Sequence, residues 1–261
     1  MTLLAGRNGL VFGVANERSL AWGISRAAVA QGASVGLTWF GERLERRVRP
    51  LAEEIGAPLC VPCDVADDDS LDACFAAAAE AFGGRLDFVV HSVAFADKAD
   101  LDGRFRDTGR AGHALAMDVS AYSLIALARR AAPLMTAGGA IVTLSYYGAE
   151  KVIPHYNVMG PAKAALEASV RYLAADLGPQ GVRVNAISAG AIKTLASAGI
   201  PGIRTMLKGA AEVSPLRRNV TQEEVADAAV FLLSDMARAI TGEVLHVDAG
   251  YHVMGLAPIP E

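Results

Sequence analysis

A tyrosine and a lysine, Tyr156 and Lys163, have the types and the spacing to do chemistry together. A phenol, with a pKa of about 10, is neutral at pH 7 and can donate a hydrogen bond or a proton. A nearby ammonium group stabilises negative charge on that oxygen and can also bind ribose hydroxyls. Seven residues make about two helical turns, so we expect both side chains on one face of a helix, Tyr156 to Leu177.

The elements that must position this pair alternate along the chain. Short apolar runs predict buried strands, and longer segments with helical periodicity lie between them. Repeated strand–helix order requires crossovers, which predicts an α/β fold: a Rossmann-type, doubly wound parallel sheet of about seven strands with helices on both faces. The predicted strands are 9–14, 34–39, 58–61, 86–91, 140–144, 182–187 and 243–247, and the predicted helices are 21–31, 42–55, 68–82, 112–135, 156–177 and 222–235.

Length and composition limit the classes of protein that remain. A chain of 261 residues, 52% hydrophobic and 20% charged, suits a single domain over 1–261 with a sizeable core. Its net charge of −4 argues against nucleic acid as a partner. We see neither a signal peptide nor a run of about 18 uncharged apolar residues, so we expect no transmembrane segment and a cytoplasmic location.

The three cysteines have two interpretations. Cys60 and Cys63 show the CxxC spacing of a redox pair or half a zinc site, but no second CxxC accompanies them. Small buried side chains are the better interpretation, and the low count, with Cys74 as the third cysteine, fits a reducing compartment. We expect no metal site.

The loop after the first strand could hold a pyrophosphate. Gly13 would let the backbone come close, and the helix that starts near Ser19 and Leu20 would offer free amide donors and a positive dipole end. The usual GxGxxG is missing, since only Gly13 and Gly23 remain, and a plain strand–helix turn stays open. In doubly wound sheets, however, ligands bind beyond the carboxyl ends of strands, where strand order reverses.

The next two strand ends would surround an adenosine. Phe40 could stack beside the adenine, and no basic pair is present there for a 2′-phosphate, which favours NADH over NADPH. Asp64 could accept a bond from the adenine amino group while Val65 packs on the ring. A helix cap is the equal alternative for Asp64, and the acids at 67–69 are interpreted as capping residues.

With these residues in view, the chain resembles the short-chain dehydrogenase/reductase superfamily and, within it, the bacterial type I enoyl-acyl-carrier-protein reductases. The resemblance covers nearly the whole chain. Two tyrosines ten apart, Tyr146 and Tyr156, followed by Lys163, separate this branch from alcohol dehydrogenases that carry a serine in place of the first tyrosine. The motifs that carry it are Gly13 with 19–23, 63–65, 91–96, 146–163, 183–190, 192–196 and 242–248.

The resemblance implies an activity and a set of roles. Hydride would pass from NADH to the β-carbon of a trans-2-enoyl thioester on acyl carrier protein, in type II fatty acid biosynthesis. Tyr156 would bind the thioester carbonyl, Lys163 the nicotinamide ribose, and Tyr146 would line the pocket and assist proton delivery. The implied cofactor contacts also include Ser92, Val93, Ile192, Thr194, Leu195 and Ala196, and the implied substrate contacts are Ala96, Tyr146, Tyr156, Met159, Ile200 and Met206.

The resemblance also implies a lid and an oligomer. Residues 197–213, part of a segment at about 192–213, would cover the substrate, although an ordinary amphipathic surface helix remains the alternative. A homotetramer is implied, with residues 221–247 at an interface. Two departures stand out: Ala191 replaces a usual proline, and Pro161 would clash with the Asn157 carbonyl unless the helix begins late or bends.

Two other functions stay open at this point. A carbonyl or alcohol dehydrogenase of the same superfamily would use Ser145 together with Tyr156 and Lys163. A dinucleotide sensor without catalysis would use the same fold. A sensor has no need of an intact tyrosine–lysine pair, so the pair favours an enzyme.

Overall fold

The computed structural model describes residues 2–194 and 202–256. Seven strands in this part of the chain form one sheet in the order β3-β2-β1-β4-β5-β6-β7, and every neighbouring pair is parallel. The predicted doubly wound Rossmann-type fold is confirmed. The strands are β1 (Asn8–Phe12), β2 (Ser34–Trp39), β3 (Cys60–Pro62), β4 (Phe88–His91), β5 (Gly139–Ser145), β6 (Val182–Ala189) and β7 (Val244–Val247).

Helices cover both faces of this sheet. One apolar cluster joins α1, α2 and α9 to one face, and a second joins α3, α6 and α7 to the other. Buried apolar area on both faces is the main force that holds the layers together. The helices are α1 (Leu20–Ala30), α2 (Glu42–Glu54), α3 (Asp68–Ala81), α4 (Lys98–Leu101), α5 (Arg110–Met117), α6 (Ser123–Ala131), α7 (Met159–Leu177), α8 (Ile203–Val213) and α9 (Gln222–Leu233).

Strand boundaries differ from the predicted ones by one or two residues at most ends. β3 lies at Cys60–Pro62 and not at 58–61, so it includes Pro62. A proline donates no ladder hydrogen bond, so it is tolerated on an edge strand, and β3 lies at an edge of the sheet. Of the three cysteines, all free, Cys63 and Cys74 are buried as expected and Cys60 is half-buried.

The single helix predicted over 112–135 is found over Arg110–Leu134, but it is not α-helical throughout. A π-helical turn, Asp118–Tyr122, separates α5 from α6, and a 3-10 turn follows at Ala132–Leu134. Within the π turn, the Ser120 hydroxyl accepts a bond from the Phe95 amide, 2.9 Å away in the loop after β4. Long-range contacts of this kind leave no mark in apolar periodicity.

By length and composition alone, the stretch Arg110–Leu134 could cross a membrane, and it is the one such stretch among the described residues. In the structure, however, it packs against the sheet: Leu124 and Leu127 of α6 are fully buried in the second core cluster. A core helix satisfies the same length and composition test, so the stretch is explained as part of this core.

A buried histidine ties three elements together beneath the sheet's carboxyl edge. His91 ends β4; its Nδ1 lies 2.7 Å from Thr143 Oγ1 of β5, and its Nε2 lies 2.8 Å from Ser123 Oγ of α6. Complete burial, with a smaller effect of the Lys163 charge, lowers the pKa of His91 to about 3. The neutral imidazole is therefore part of the folded core.

We expect the free energy of unfolding to decrease as the pH is lowered. The reason is that His91 binds a proton in the unfolded chain but stays neutral in the folded protein. This contribution is complete above a pH of about 6.5 and is lost toward pH 3, at about 1.4 kcal/mol per pH unit. Urea denaturation from pH 7 to pH 4.5 should show a drop about 2–3 kcal/mol smaller in His91→Asn than in the wild type. The exposed His113, changed to Asn, is the control. Equal drops in wild type and His91→Asn would contradict the assignment.

Candidate active site

The end of β5 and the start of α7 carry the predicted catalytic residues. β5 ends at Ser145, Tyr146 follows at once, and a 3-10 turn occupies Tyr147–Ala149. The helix begins at Met159, so the prediction that Tyr156 lies within it is wrong. Tyr156 lies in the turn that precedes α7, between His155 and Asn157.

Backbone geometry and a proline explain the late start of α7. His155 has a φ of 61° and Asn157 a φ of 35°, both in the left-handed region, which a helix cannot include. Pro161 falls in the first turn of α7, where backbone amides have no intrahelical partner. Because Asn157 precedes the helix, the clash expected at its carbonyl does not arise.

The two tyrosines meet edge to face. The ring centroids of Tyr146 and Tyr156 are 5.0 Å apart with an interplanar angle of 72°. Burial raises the pKa of Tyr146 to about 12, and burial together with Tyr146 and Glu167 raises the pKa of Tyr156 further still. Both phenols therefore keep their protons at neutral pH and can act as donors.

Lys163 lies one helical turn into α7, with its side chain buried at 6% exposure. Its Nζ donates a 2.7 Å hydrogen bond to the carbonyl oxygen of Leu144, two residues before Tyr146. Burial lowers the pKa of Lys163 to about 8, an effect that the Glu167 carboxylate opposes. At pH 7 the ammonium form prevails, and a small rise in pH discharges it.

The Ser145 hydroxyl bonds to neither Tyr156 nor Lys163. This hydroxyl is buried and donates a 2.5 Å hydrogen bond to Glu167 Oε1 of α7. The geometry thus gives no support to the alternative in which Ser145 assists Tyr156. Sequence reasoning missed Glu167, although its position four residues after Lys163 places both on one face of a helix.

The predicted substrate residues come together around Tyr156. Ala96 and Tyr146 pack against a small apolar cluster that contains Tyr156 and Met159. The Ser120 hydroxyl of the π turn lies 3.7 Å from Met159 Sδ. Met206 of α8 and Tyr146 line an adjoining cleft of about 250 Å³. Of the predicted contacts, Ile200 lies outside the described residues.

The loop between β1 and α1 lies beside the end of β4, where the strand order reverses. Gly13 has a φ of 97°, which favours glycine, and a Cβ there would overlap the Ser92 carbonyl oxygen. Both the backbone conformation and the close contact therefore require glycine. The Ser19 hydroxyl accepts 3.0 Å bonds from the amides of Ala15 and Asn16. Gln222 of α9 donates to the Ser19 carbonyl oxygen at 2.5 Å. The loop is thereby fixed from both sides.

The expected adenosine side has the predicted residue types at strand ends. Phe40, which follows β2, is 60% exposed. Asp67, with its side chain 3.0 Å from the Asp69 amide, caps α3 as expected for the acids at 67–69. Asp64 does not cap that helix, because its Oδ1 accepts a bond from the Ala66 amide instead. Val65 is buried against the second core cluster.

The loop after β6 is described only in part. Ile192 packs against the first core cluster, and Thr194 is half-buried at the last described position before the gap. Val93 packs at the edge of the second cluster, beside Ser92. Leu195 and Ala196 lie outside the described residues.

The fold and this site define a dinucleotide-binding oxidoreductase of the short-chain dehydrogenase/reductase class. Residues 13–252 match the family model described as enoyl-(acyl carrier protein) reductase. The chain belongs to that family, and the predicted enoyl reductase identity is confirmed.

Individual relatives agree with this assignment. Enoyl-acyl-carrier-protein reductase (NADH) 1 of Rhizobium meliloti is 55% identical, over 98% of this chain and 94% of the relative. A crystal structure of the Anaplasma phagocytophilum reductase in complex with NAD has a TM-score of 0.95 and 56% identity, covering 98% of each chain. The Bacillus cereus reductase, solved with NADP+ and indole naphthyridinone, has a TM-score of 0.95 and 53% identity, covering 98% of this chain and all of that one.

Gly148, a residue that sequence reasoning missed, makes room for the ring of Tyr156. A Cβ at this position would overlap the ring of Tyr156 and come within 3.4 Å of Tyr146. No motif marks it, because the need arises only when the turn after β5 meets the turn before α7.

We expect Gly148→Ala to lower kcat about 10- to 100-fold, because the added methyl pushes the Tyr156 ring out of its position beside Tyr146. Steady-state assays with NADH and an enoyl thioester would measure this. Gly178→Ala, which adds a methyl where no atom lies within 4 Å, is the matched control. Unchanged kcat in Gly148→Ala would contradict the packing role.

Proposed function

We propose that this chain reduces the trans-2 double bond of enoyl thioesters on acyl carrier protein, with NADH, and that Tyr146, Tyr156 and Lys163 are its catalytic residues. One observation carries the assignment of roles. The rings of buried Tyr156 and half-buried Tyr146 meet edge to face beside a strand end held by a buried ammonium group, and neither hydroxyl bonds to another described residue. Such donors suit an oxygen that becomes negative during reaction.

Tyr156 has the central role in this proposal. NADH, when bound, supplies a hydride for the β-carbon of the enoyl thioester. Negative charge then collects on the thioester carbonyl oxygen, and the Tyr156 hydroxyl donates a hydrogen bond to that oxygen. The bond is stronger in the transition state than with the neutral substrate, so it raises kcat. Tyr146 lines the pocket and assists delivery of a proton to the α-carbon.

Lys163 adds a positive charge at a buried position. Its ammonium binds the hydroxyls of the nicotinamide ribose and favours negative charge on the reacting oxygen. The Leu144 carbonyl, 2.7 Å away, fixes its direction. Since burial lowers the pKa of Lys163 to about 8, its charge is lost in mild alkali.

The residues of the cofactor side fit a dinucleotide. Gly13, Ser19 and Leu20 bring backbone and first-turn amides to the sheet's switch point, where a pyrophosphate binds. Phe40 offers an exposed ring for adenine, and Asp64 and Val65 follow the neighbouring strand β3. Absence of a basic pair next to Phe40 supports NADH as the preferred form. The nicotinamide end is assigned to Ser92, Val93, Ile192 and Thr194, together with Leu195 and Ala196.

The acyl chain is assigned to the cluster of Ala96, Met159 and the two tyrosines, with Met206 in the adjoining cleft. α8, which carries Met206, belongs to the segment 192–213 proposed to cover the substrate. Ile200 of that segment is assigned to the substrate on the family resemblance. Closure would exclude water and strengthen each electrostatic contact inside.

We also propose a cytoplasmic homotetramer. Support comes from β7, an edge strand of the sheet whose four residues are all only half-buried. An open edge strand next to α9 is a surface that a second subunit can cover. Light scattering measures the oligomeric state directly, and a monomer at micromolar concentration would rule out this assembly.

The second enzyme function, carbonyl reduction, is separated from the first by a substrate panel. We expect NADH oxidation with crotonyl thioester and little with acetoacetyl thioester, since the Ser145 hydroxyl is bound to Glu167. Turnover of the ketone alone would overturn the proposal. Tight NADH binding without turnover of either thioester would favour the sensor.

Removing one hydroxyl tests the role of Tyr156. We expect Tyr156→Phe to lower kcat about 10²–10³-fold with little change in the Kd of NADH, because the lost bond acts in the transition state. Tyr172→Phe, the same change on an 81% exposed ring of α7, is the control. A rate for Tyr156→Phe within a factor of two of wild type would remove Tyr156 from the mechanism.

Removing another hydroxyl tests the phosphate loop. Ser19→Ala leaves the amides of Ala15 and Asn16 without their shared acceptor, so the loop loses its fixed shape. We expect the Kd of NADH to rise about 5- to 30-fold, as for one or two hydrogen bonds, while kcat at saturation changes little. Fluorescence titration measures the Kd, with Ser169→Ala on α7 as control. An unchanged Kd would place the pyrophosphate elsewhere.

A further inference from the structure

Glu167 is a buried carboxylate that the proposed reaction does not use. It is 7% exposed and lies on α7, four residues after Lys163, so both side chains emerge from one face of the helix. Carboxylates are rarely buried to this degree without a partner. We therefore expect polar or charged partners for the Glu167 carboxylate in its immediate surroundings.

Two bonds join this face of α7 to consecutive residues of β5. The Lys163 ammonium donates to the Leu144 carbonyl oxygen at 2.7 Å, and the Ser145 hydroxyl donates to Glu167 Oε1 at 2.5 Å. Tyr146 is the next residue along the chain. A cation and an anion of one helix thus fix the strand end from which the first catalytic tyrosine emerges.

The charges around this pair come from four elements. The charge of Glu167 on α7 raises the pKa of Lys163. The charge of Lys163 in turn lowers the pKa of His91 on β4, which is neutral. The pKa of Glu167 is raised by Glu150 after β5 and lowered by His246 of β7 and Arg171 of α7. Among the described residues, Lys163 has no carboxylate within salt-bridge distance. Among these residues, the Glu167 carboxylate is the one that raises the pKa of Lys163.

We propose that Glu167 is a positioning residue whose negative charge keeps Lys163 protonated in its buried place while its oxygen holds Ser145 at the end of β5. A buried ammonium is costly unless an opposite charge lies close by. Glu167 supplies that charge from one turn along the same helix. This inference rests on the proposed contact of Lys163 with the cofactor.

The electrostatic directions agree with this role. Burial lowers the pKa of Lys163, and Glu167 raises it. Burial raises the pKa of Glu167 itself, while the bond from Ser145 lowers it and so favours the charged form. The Ser145 hydroxyl therefore serves the lysine indirectly, by stabilising the carboxylate.

Two variants separate charge from hydrogen bonding. Glu167→Gln removes the charge but retains an oxygen that accepts from Ser145, whereas Ser145→Ala removes the bond and retains the carboxylate. Glu80→Gln, on the exposed side of α3, is the matched control. The readout is the Kd of NADH by fluorescence from pH 6 to pH 9.5, together with the pH profile of kcat/KM.

In wild type we expect NADH binding to weaken above about pH 8, as Lys163 loses its proton. Glu167→Gln should move this midpoint about one pH unit lower, as expected for loss of a nearby opposite charge. Ser145→Ala should move it less and lower kcat, and Glu80→Gln should change neither. A wild-type midpoint retained in Glu167→Gln would overturn the inference.

Failure of the proposed function gives a different result. If Lys163 does not contact the cofactor, wild type shows no alkaline weakening of NADH binding at all. Thermal unfolding then still tests the charge pair without any ligand. We expect Glu167→Gln to lower the melting temperature and the double variant Lys163→Met/Glu167→Gln to recover part of it. A double variant no more stable than Glu167→Gln alone would overturn the inference. If Glu167→Gln does not fold, a double variant that also does not fold would overturn it.

Discussion

The Lys163 ammonium lies out of water between α7 and the end of β5, where its hydrogen bond to the Leu144 carbonyl fixes both position and direction. A buried charge is tolerated only where the surrounding groups compensate for lost solvation. Here a carbonyl dipole and the Glu167 carboxylate do so. The same residues set the geometry of Tyr146, so the stability of this corner and its chemistry depend on the same contacts.

The sheet brings the separate parts of the site together. Its order reverses between β1 and β4, and the loop around Gly13 and Ser19 meets Ser92 there. β5, the next strand along, delivers Tyr146. Parallel strands place all their carboxyl ends on one edge, and thus residues from distant parts of the chain become neighbours. The neutral His91 beneath that edge joins β4, β5 and α6.

Two of the four non-glycine residues with positive φ in the described part of the chain lie on either side of Tyr156. His155 and Asn157 both have positive φ, and neither is a glycine. Strained backbone of this kind persists only where surrounding contacts enforce it. The packing of the Tyr156 ring on Gly148 and against Tyr146 provides those contacts. A phenol that is held before the reaction needs no reorientation when charge develops on the substrate.

Sequence patterns determined the architecture because each relies on short-range regularity. Continuous apolar runs mark buried strands, helical periodicity marks the crossovers, and their alternation admits few topologies. The family could be identified from Tyr146, Tyr156 and Lys163, since their residue types and their spacing are typical of it.

Tertiary structure alone decided what depends on contacts between distant segments. The start of α7 at Met159, the space that Gly148 leaves for Tyr156, and the π turn whose Ser120 bonds to Phe95 are of this kind. The partnership of Ser145 with Glu167 is another, because these residues are 22 positions apart and meet only when α7 packs on β5. Periodicity reports which face of an element is apolar; it carries no information on which atoms that face will meet.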